Sequence, residues 1–108
     1  MTAMATTTET KAFHLEMRNV YFSVQRVSGY RATRFLQLVD RIGGLEAAKR
    51  LLSAGDISNG LTELCLKGCL QHSMECLVLD KKWRHLFTDD QLATAQRRLE
   101  QLHYRVPA

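Results

Sequence analysis

The stretch Asn59–Thr88, NGLTELCLKGCLQHSMECLVLDKKWRHLFT, decides the fold. Leu61, Leu64 and Cys65 recur at the three-and-four spacing of a helix face, so a helix is expected from about Gly60 to Lys67. Gly68 breaks it. Leu70, Met74, Leu77 and Val78 then mark a second amphipathic helix, expected over Leu70–Leu79. Asp80-Lys81-Lys82 leads into one short turn, Trp83–Phe87, whose indole, beside Leu86 and Phe87, fits core better than base stacking. Thr88-Asp89-Asp90-Gln91 reads as a capping box: the Thr hydroxyl accepts from the amide three residues on, and the Gln side chain reaches back. The two aspartates also suit the positive end of the helix dipole. The helix so started runs to about His103, with Leu92, Ala95, Leu99 and Leu102 inward and Pro107 beyond its end.

Working back from Asn59, Ser58 or Asn59 is the expected cap, preceded by a turn over Ser53–Asp56. A helix over Leu45–Leu52 buries Leu45, Ala48, Leu51 and Leu52. Gly43-Gly44 stops another, about Ala32 to Ile42, with Phe35, Leu38, Val39 and Ile42 as its stripe. The first helix runs from about Lys11 to Val27, capped by Thr8 or Thr10 and closed by Gly29 in a left-handed conformation. Phe13, Met17, Val20, Tyr21, Val24 and Val27 share one face of it. Leu15 and Phe22, seven apart, project from the other side, and a helix apolar on two sides is either central or part of a contact with another chain. Residues 1–8 are expected to form a disordered polar tail, and 9–108 a single helical domain.

Composition agrees with this reading. The 108 residues are 45% hydrophobic and 24% charged, ordinary for one globular domain, and only 7% are aromatic. Few segments are rich in β-branched residues, which argues against a sheet. The expected fold is therefore all-α, a compact bundle of five to six short helices. MTAMATTTET lacks the apolar region of a signal peptide, and no run approaches the ~18 apolar residues of a membrane span. With three cysteines, an odd count, reduced thiols in a cytoplasmic chain are expected.

The segments FLQLVDRIGGLEAAKRLL, ISNGLTEL, KGCL, S-x-ECLVL and W-x-x-LFTDDQL-x-x-A-x-RRL, spread between Tyr30 and Leu99, resemble a small all-helical bacterial domain of uncharacterised function. That resemblance implies a helical module found alone or attached to larger proteins, some linked to defence or mobile DNA. It implies no activity and no catalytic residue, and Met1–Val27 lies largely outside it.

Chemistry-bearing groups are sparse. Cys65, Cys69, His72 and Cys76 read C-x3-C-x2-H-x3-C, and the last three would share a face of a continuous helix. Zinc sites of structural type draw ligands from two chain segments, so these are weak metal candidates, and inert thiols are expected with no metal or cofactor. Cys69 and His72 lack an oxyanion hole, and Gly43-Gly44 lacks the Lys-Ser/Thr of a phosphate loop. An enzyme is not expected, nor a small-molecule substrate. Helix, glycine turn, helix over residues 60–79 has the outline of a DNA-reading motif. Its second helix, however, offers Gln71, His72, Ser73 and Glu75 without Arg or Lys, so an ordinary helical hairpin fits better.

Surfaces say more. The net charge is +4, and no acidic residue occurs from Met17 to Val39. Arg31, Arg34 and Arg41 fall within about 80° of one another on their helix, and Lys49-Arg50 follow. Lys81, Lys82 and Arg84 surround Trp83. These cations suit plain solvent first, then phosphate, then an acidic protein partner. Two functions are expected in order. The first is a non-enzymatic protein-interaction module (adaptor, inhibitor or small subunit of a bacterial or phage complex), with Leu15 and Phe22 as interface candidates and either another protein or a second copy as partner. The second is a non-specific nucleic-acid-binding accessory.

Overall fold

The computed structural model describes residues 7–54 and 59–104. Among these the chain forms six α-helices and no strand: α1 (Thr7–Ser28), α2 (Thr33–Ile42), α3 (Gly44–Ser53), α4 (Asn59–Leu66), α5 (Met74–Leu79) and α6 (Asp89–Gln101). Two 3₁₀ turns, Leu70–His72 and Arg84–Leu86, flank α5. The expected all-α bundle is what the chain builds.

Phe13 and Met17 on α1 are fully buried and organise the core. Phe13 meets Trp83 and Phe87 edge-on, with centroids 5.4 and 5.5 Å apart, so the turn after α5 is clamped to the first half of α1. Trp83 is thus core. Further along, α1 packs closely on α3. A Cβ at Gly44 would lie 2.6 Å from the Cα of His14, so only glycine lets the two backbones approach this far. The same contact caps α3, because the Gly44 amide donates to His14 Nδ1 at 2.9 Å. Gly43, at φ 90°, makes the corner between α2 and α3. Ala47, Ala48 and Leu52 bury the inner face of α3, and Leu99 and Ala95 on α6 meet it.

Several boundaries differ from the expected ones, each for a local reason. α1 begins at Thr7, so residues 7 and 8 belong to the helix and neither Thr8 nor Thr10 stands before it as a cap. Its first turn is held from outside, where His85 bonds the Glu9 carboxylate. Val27 is exposed: it lies about 60° off Val24 by the ~100° helical step, at the edge of the stripe and in the last turn. Gly29 takes the left-handed conformation (φ 76°) and donates back to Gln25, as read from the sequence.

The helix expected over Leu70–Leu79 is interrupted. Ser73 is extended (φ −75°, ψ 159°), and its hydroxyl accepts from the Cys76 amide, so it caps a new helix of six residues. Thr88 and Gln91 make both bonds of the capping box, at 3.2 and 2.9 Å. α6 ends two residues earlier than His103. His103 adopts φ 60° and donates to the Glu100 carbonyl, while Tyr104 donates to Leu99, the paired bonds of a Schellman closure. Ser58, Pro107 and most of the turn after Ser53 lie outside the described residues, as do positions 1–6 of the expected tail.

Candidate functional site

A groove of about 1010 Å³ opens between α2 and α4. It exists because α4 rests on the body chiefly through the Leu70–His72 turn and leaves the flank of α2 unfilled. Its walls are apolar: Val20, Tyr21 and Val24 from α1, Phe35 and Leu38 from α2, Leu61 and Leu64 from α4, and Met74 behind them. Tyr30, in the linker before α2, adds a second phenol. Arg31, Arg34 and Arg41 all border the groove and all are exposed. Arg34 and Arg41 stand on α2 with Leu38 and Phe35 beside them; Arg31 precedes the helix, outside the period expected to group all three, and reaches the same opening from the linker.

The floor holds the least expected feature of the chain. Glu75 and Arg98 are each 5% exposed and face one another at 3.2 Å. Arg98 Nη1 donates to the carboxylate. Its Nη2 donates to the carbonyls of Leu51 at 3.0 Å and Ala54 at 2.6 Å, closing the end of α3. One guanidinium therefore ties α6, α5 and α3 together. Burial pushes the Glu75 carboxyl above its usual range, and its backbone bond and Arg98 pull it back. Among the described residues no buried side-chain nitrogen or oxygen lacks a partner, so the pair is fully satisfied.

The remaining predicted residues are scattered. Lys49 and Arg50 lie on α3 and do not line the groove. Lys81 and Arg84 border a shallower depression that also holds Glu16, Asp80, His72 and Cys76, so that basic patch is interleaved with acid. Lys82 sits 5.0 Å from the centroid of the buried Trp83, a cation–π contact.

Ser73 and Glu75, two of the residues a DNA-reading helix would have had to offer, are both buried. The face shared by Cys69, His72 and Cys76 does not exist, because Ser73 breaks the helix between them. Each thiol instead points at a carbonyl: Cys65 at Leu102, Cys69 at Lys67 and Cys76 at Leu70. Burial pushes the Cys76 thiol up. No three His, Cys, Asp or Glu side chains among the described residues are gathered as a metal ion needs.

Leu15 and Phe22 project from α1 at 60% and 47% exposure. The Phe22 ring meets Tyr21 edge-on, and the Arg18 guanidinium lies 5.9 Å from its centroid. No described helix is long and apolar enough to cross a membrane.

Glu75 and Arg98 are the site residues that sequence reasoning missed. The available signal was their position inside the S-x-E-x-L and R-R-L segments of the pattern quoted above, together with Ser73, which caps α5.

Compared with family models, with curated proteins and with solved structures, the chain matches none.

Proposed function

We propose that this chain is a non-enzymatic protein-interaction module, an adaptor, inhibitor or small subunit, that receives an acidic segment of another protein in the groove between α2 and α4. The observation that carries this reading is the groove's construction: apolar walls with three arginines on one lip. Apolar walls take up anchoring side chains, and the arginines select for carboxylates among them. The ionisable groups on the floor, Glu75 and Arg98, are bonded to each other and serve the fold. The resemblance over Tyr30–Leu99 suggests that the complex is a bacterial or phage one, tied to defence or mobile DNA.

The test is affinity capture from the host with tagged full chain, read by mass spectrometry, with Arg34→Glu/Arg41→Glu alongside. The expected result is a protein held by the parent, lost by the variant, and retained after nuclease treatment at moderate salt. The alternative is a nucleic-acid-binding accessory, favoured by Tyr30 and Phe35 lying among the same exposed arginines. It predicts the opposite: release by nuclease, and affinity for an oligonucleotide that falls steeply with salt.

A further inference from the structure

α1 carries a second strip, outside the groove's lining, with Lys11, Leu15 and Phe22 exposed and Arg18 and Gln25 half-buried. Lys11, Leu15, Arg18, Phe22 and Gln25 succeed one another at spacings of four, three, four and three. That is the spacing at which one helix presents a seam to another. The inward face of α1, with Phe13, Met17 and Val24, is taken by the core, so this seam is additional to it. Leu15 and Phe22 hold two of its positions, and both are exposed. The positions between them are cationic or polar. Arg26 is exposed on the same side, and the one described carboxylate bonded to this strip is Asp40 of α2, held by Arg18.

We infer that this seam docks a helix of a partner protein that offers apolar side chains to Leu15 and Phe22 and carboxylates to Lys11, Arg18 and Arg26. Charge decides between the candidate occupants. A second copy of this chain would set Lys11, Arg18 and Arg26 against their own kind, and like charges across a contact disfavour it. A lipid surface calls for a broad apolar face, whereas this strip is two side chains wide in apolar content and the broad face of α1 is buried. A facing helix with acidic residues meets both the spacing and the charge. The inference rests on α1 alone and stands whether or not the groove takes a peptide.

The test uses the full chain and a synthetic helix of about three heptads with Leu and Glu alternating at its seam positions. Binding is followed by anisotropy of a label on the peptide. The expected result is saturable binding by the parent, weakened roughly tenfold or more by Leu15→Ser/Phe22→Ser. Lys11→Glu/Arg26→Glu, which touches no core residue, should weaken it similarly, as should Lys in place of Glu on the peptide. Arg34→Glu/Arg41→Glu should leave it unchanged, which separates this surface from the groove. The inference is overturned if the peptide does not bind, or if it binds parent and both α1 variants alike. It is also overturned if sedimentation at low salt shows a parent dimer that Leu15→Ser/Phe22→Ser dissolves, or if anionic vesicles, and not the peptide, capture the parent through Leu15 and Phe22.

Discussion

Arg98 satisfies three acceptors at once, and its loss leaves the buried one, the Glu75 carboxylate, without its ionic partner. Arg98→Met strands the Glu75 carboxylate at 5% exposure and removes one bond from each of the part-buried carbonyls of Leu51 and Ala54, the first of which still accepts from the Ala54 amide. Breaking a buried pair from one side costs about 3–5 kcal/mol, and urea unfolding should show a loss of that size. Glu75→Gln should cost less, because its amide oxygen still accepts from the guanidinium. A second residue-scale prediction concerns the thiols. Cys76 is pushed up by burial and donates to Leu70, and Cys69 is buried, so both should alkylate slowly in the folded chain at neutral pH. Mass spectrometry should find these two fully labelled only once the chain unfolds. None of this was readable from residue type. Acid early in a helix and base late in one are ordinary on a solvated surface, and charged residues are rarely buried without a partner, which a sequence does not name. What was readable at this scale was Trp83, because an indole beside Leu86 and Phe87 has few other places to go.

At the scale of elements, Thr88 and Ser73 make the same cap, yet only one was legible. Thr88 is followed three residues later by Gln91, which completes the reciprocal pair and announces a start. Ser73 is followed by Cys76, so only half the device is present, and the apolar period of Leu70, Met74 and Leu77 runs through the break as if it were not there. Removing either hydroxyl by Ser→Ala or Thr→Ala should cost about 1 kcal/mol in thermal or urea unfolding. Gly44 gives a sharper test because its expected sign opposes propensity. Inside a solvated helix Gly→Ala stabilises by roughly 0.5–1 kcal/mol. Here the new methyl would meet the backbone of His14 at 2.6 Å and Met17 at 3.2 Å, and neither is the loose end of a side chain. Gly44→Ala should therefore destabilise by about 1–3 kcal/mol, as overpacking does, and calorimetry should show the midpoint falling. The glycine pair was visible as a stop between helices. That its second member also admits α1 depends on how α1 crosses α3, which no local pattern encodes.

For the whole molecule, the question is which surfaces the fold leaves open for binding. The period of α2 already grouped Arg34 and Arg41, and Arg31 joins them from the linker before the helix. Their convergence on one groove follows from α4 standing away from α2, a tertiary fact that the glycine breaks permit without specifying. The groove's arginines, and Leu15 and Phe22 on α1, lie outside the core, so at these positions binding and stability should separate. Arg34→Glu/Arg41→Glu replaces two exposed cations, and such changes usually fall within about 0.5 kcal/mol in unfolding. The same holds for charge reversal at Lys11 and Arg26. Leu15 and Phe22 form the more demanding case, because a core role would show as a loss of several kcal/mol on truncation of both. At 60% and 47% exposure they should show little loss, and Leu15→Ser/Phe22→Ser should keep the parent's helicity and melting midpoint. The parent, with a net charge of +4 and cations along its one exposed seam, should sediment as a 12.3 kDa monomer at moderate concentration. Raising salt screens those cations over roughly 8–10 Å and lets the apolar pair act alone. A dimer that appears only at high salt would confirm that charge holds the copies apart, whereas one already present at low salt would show that the cations do not set the choice of partner.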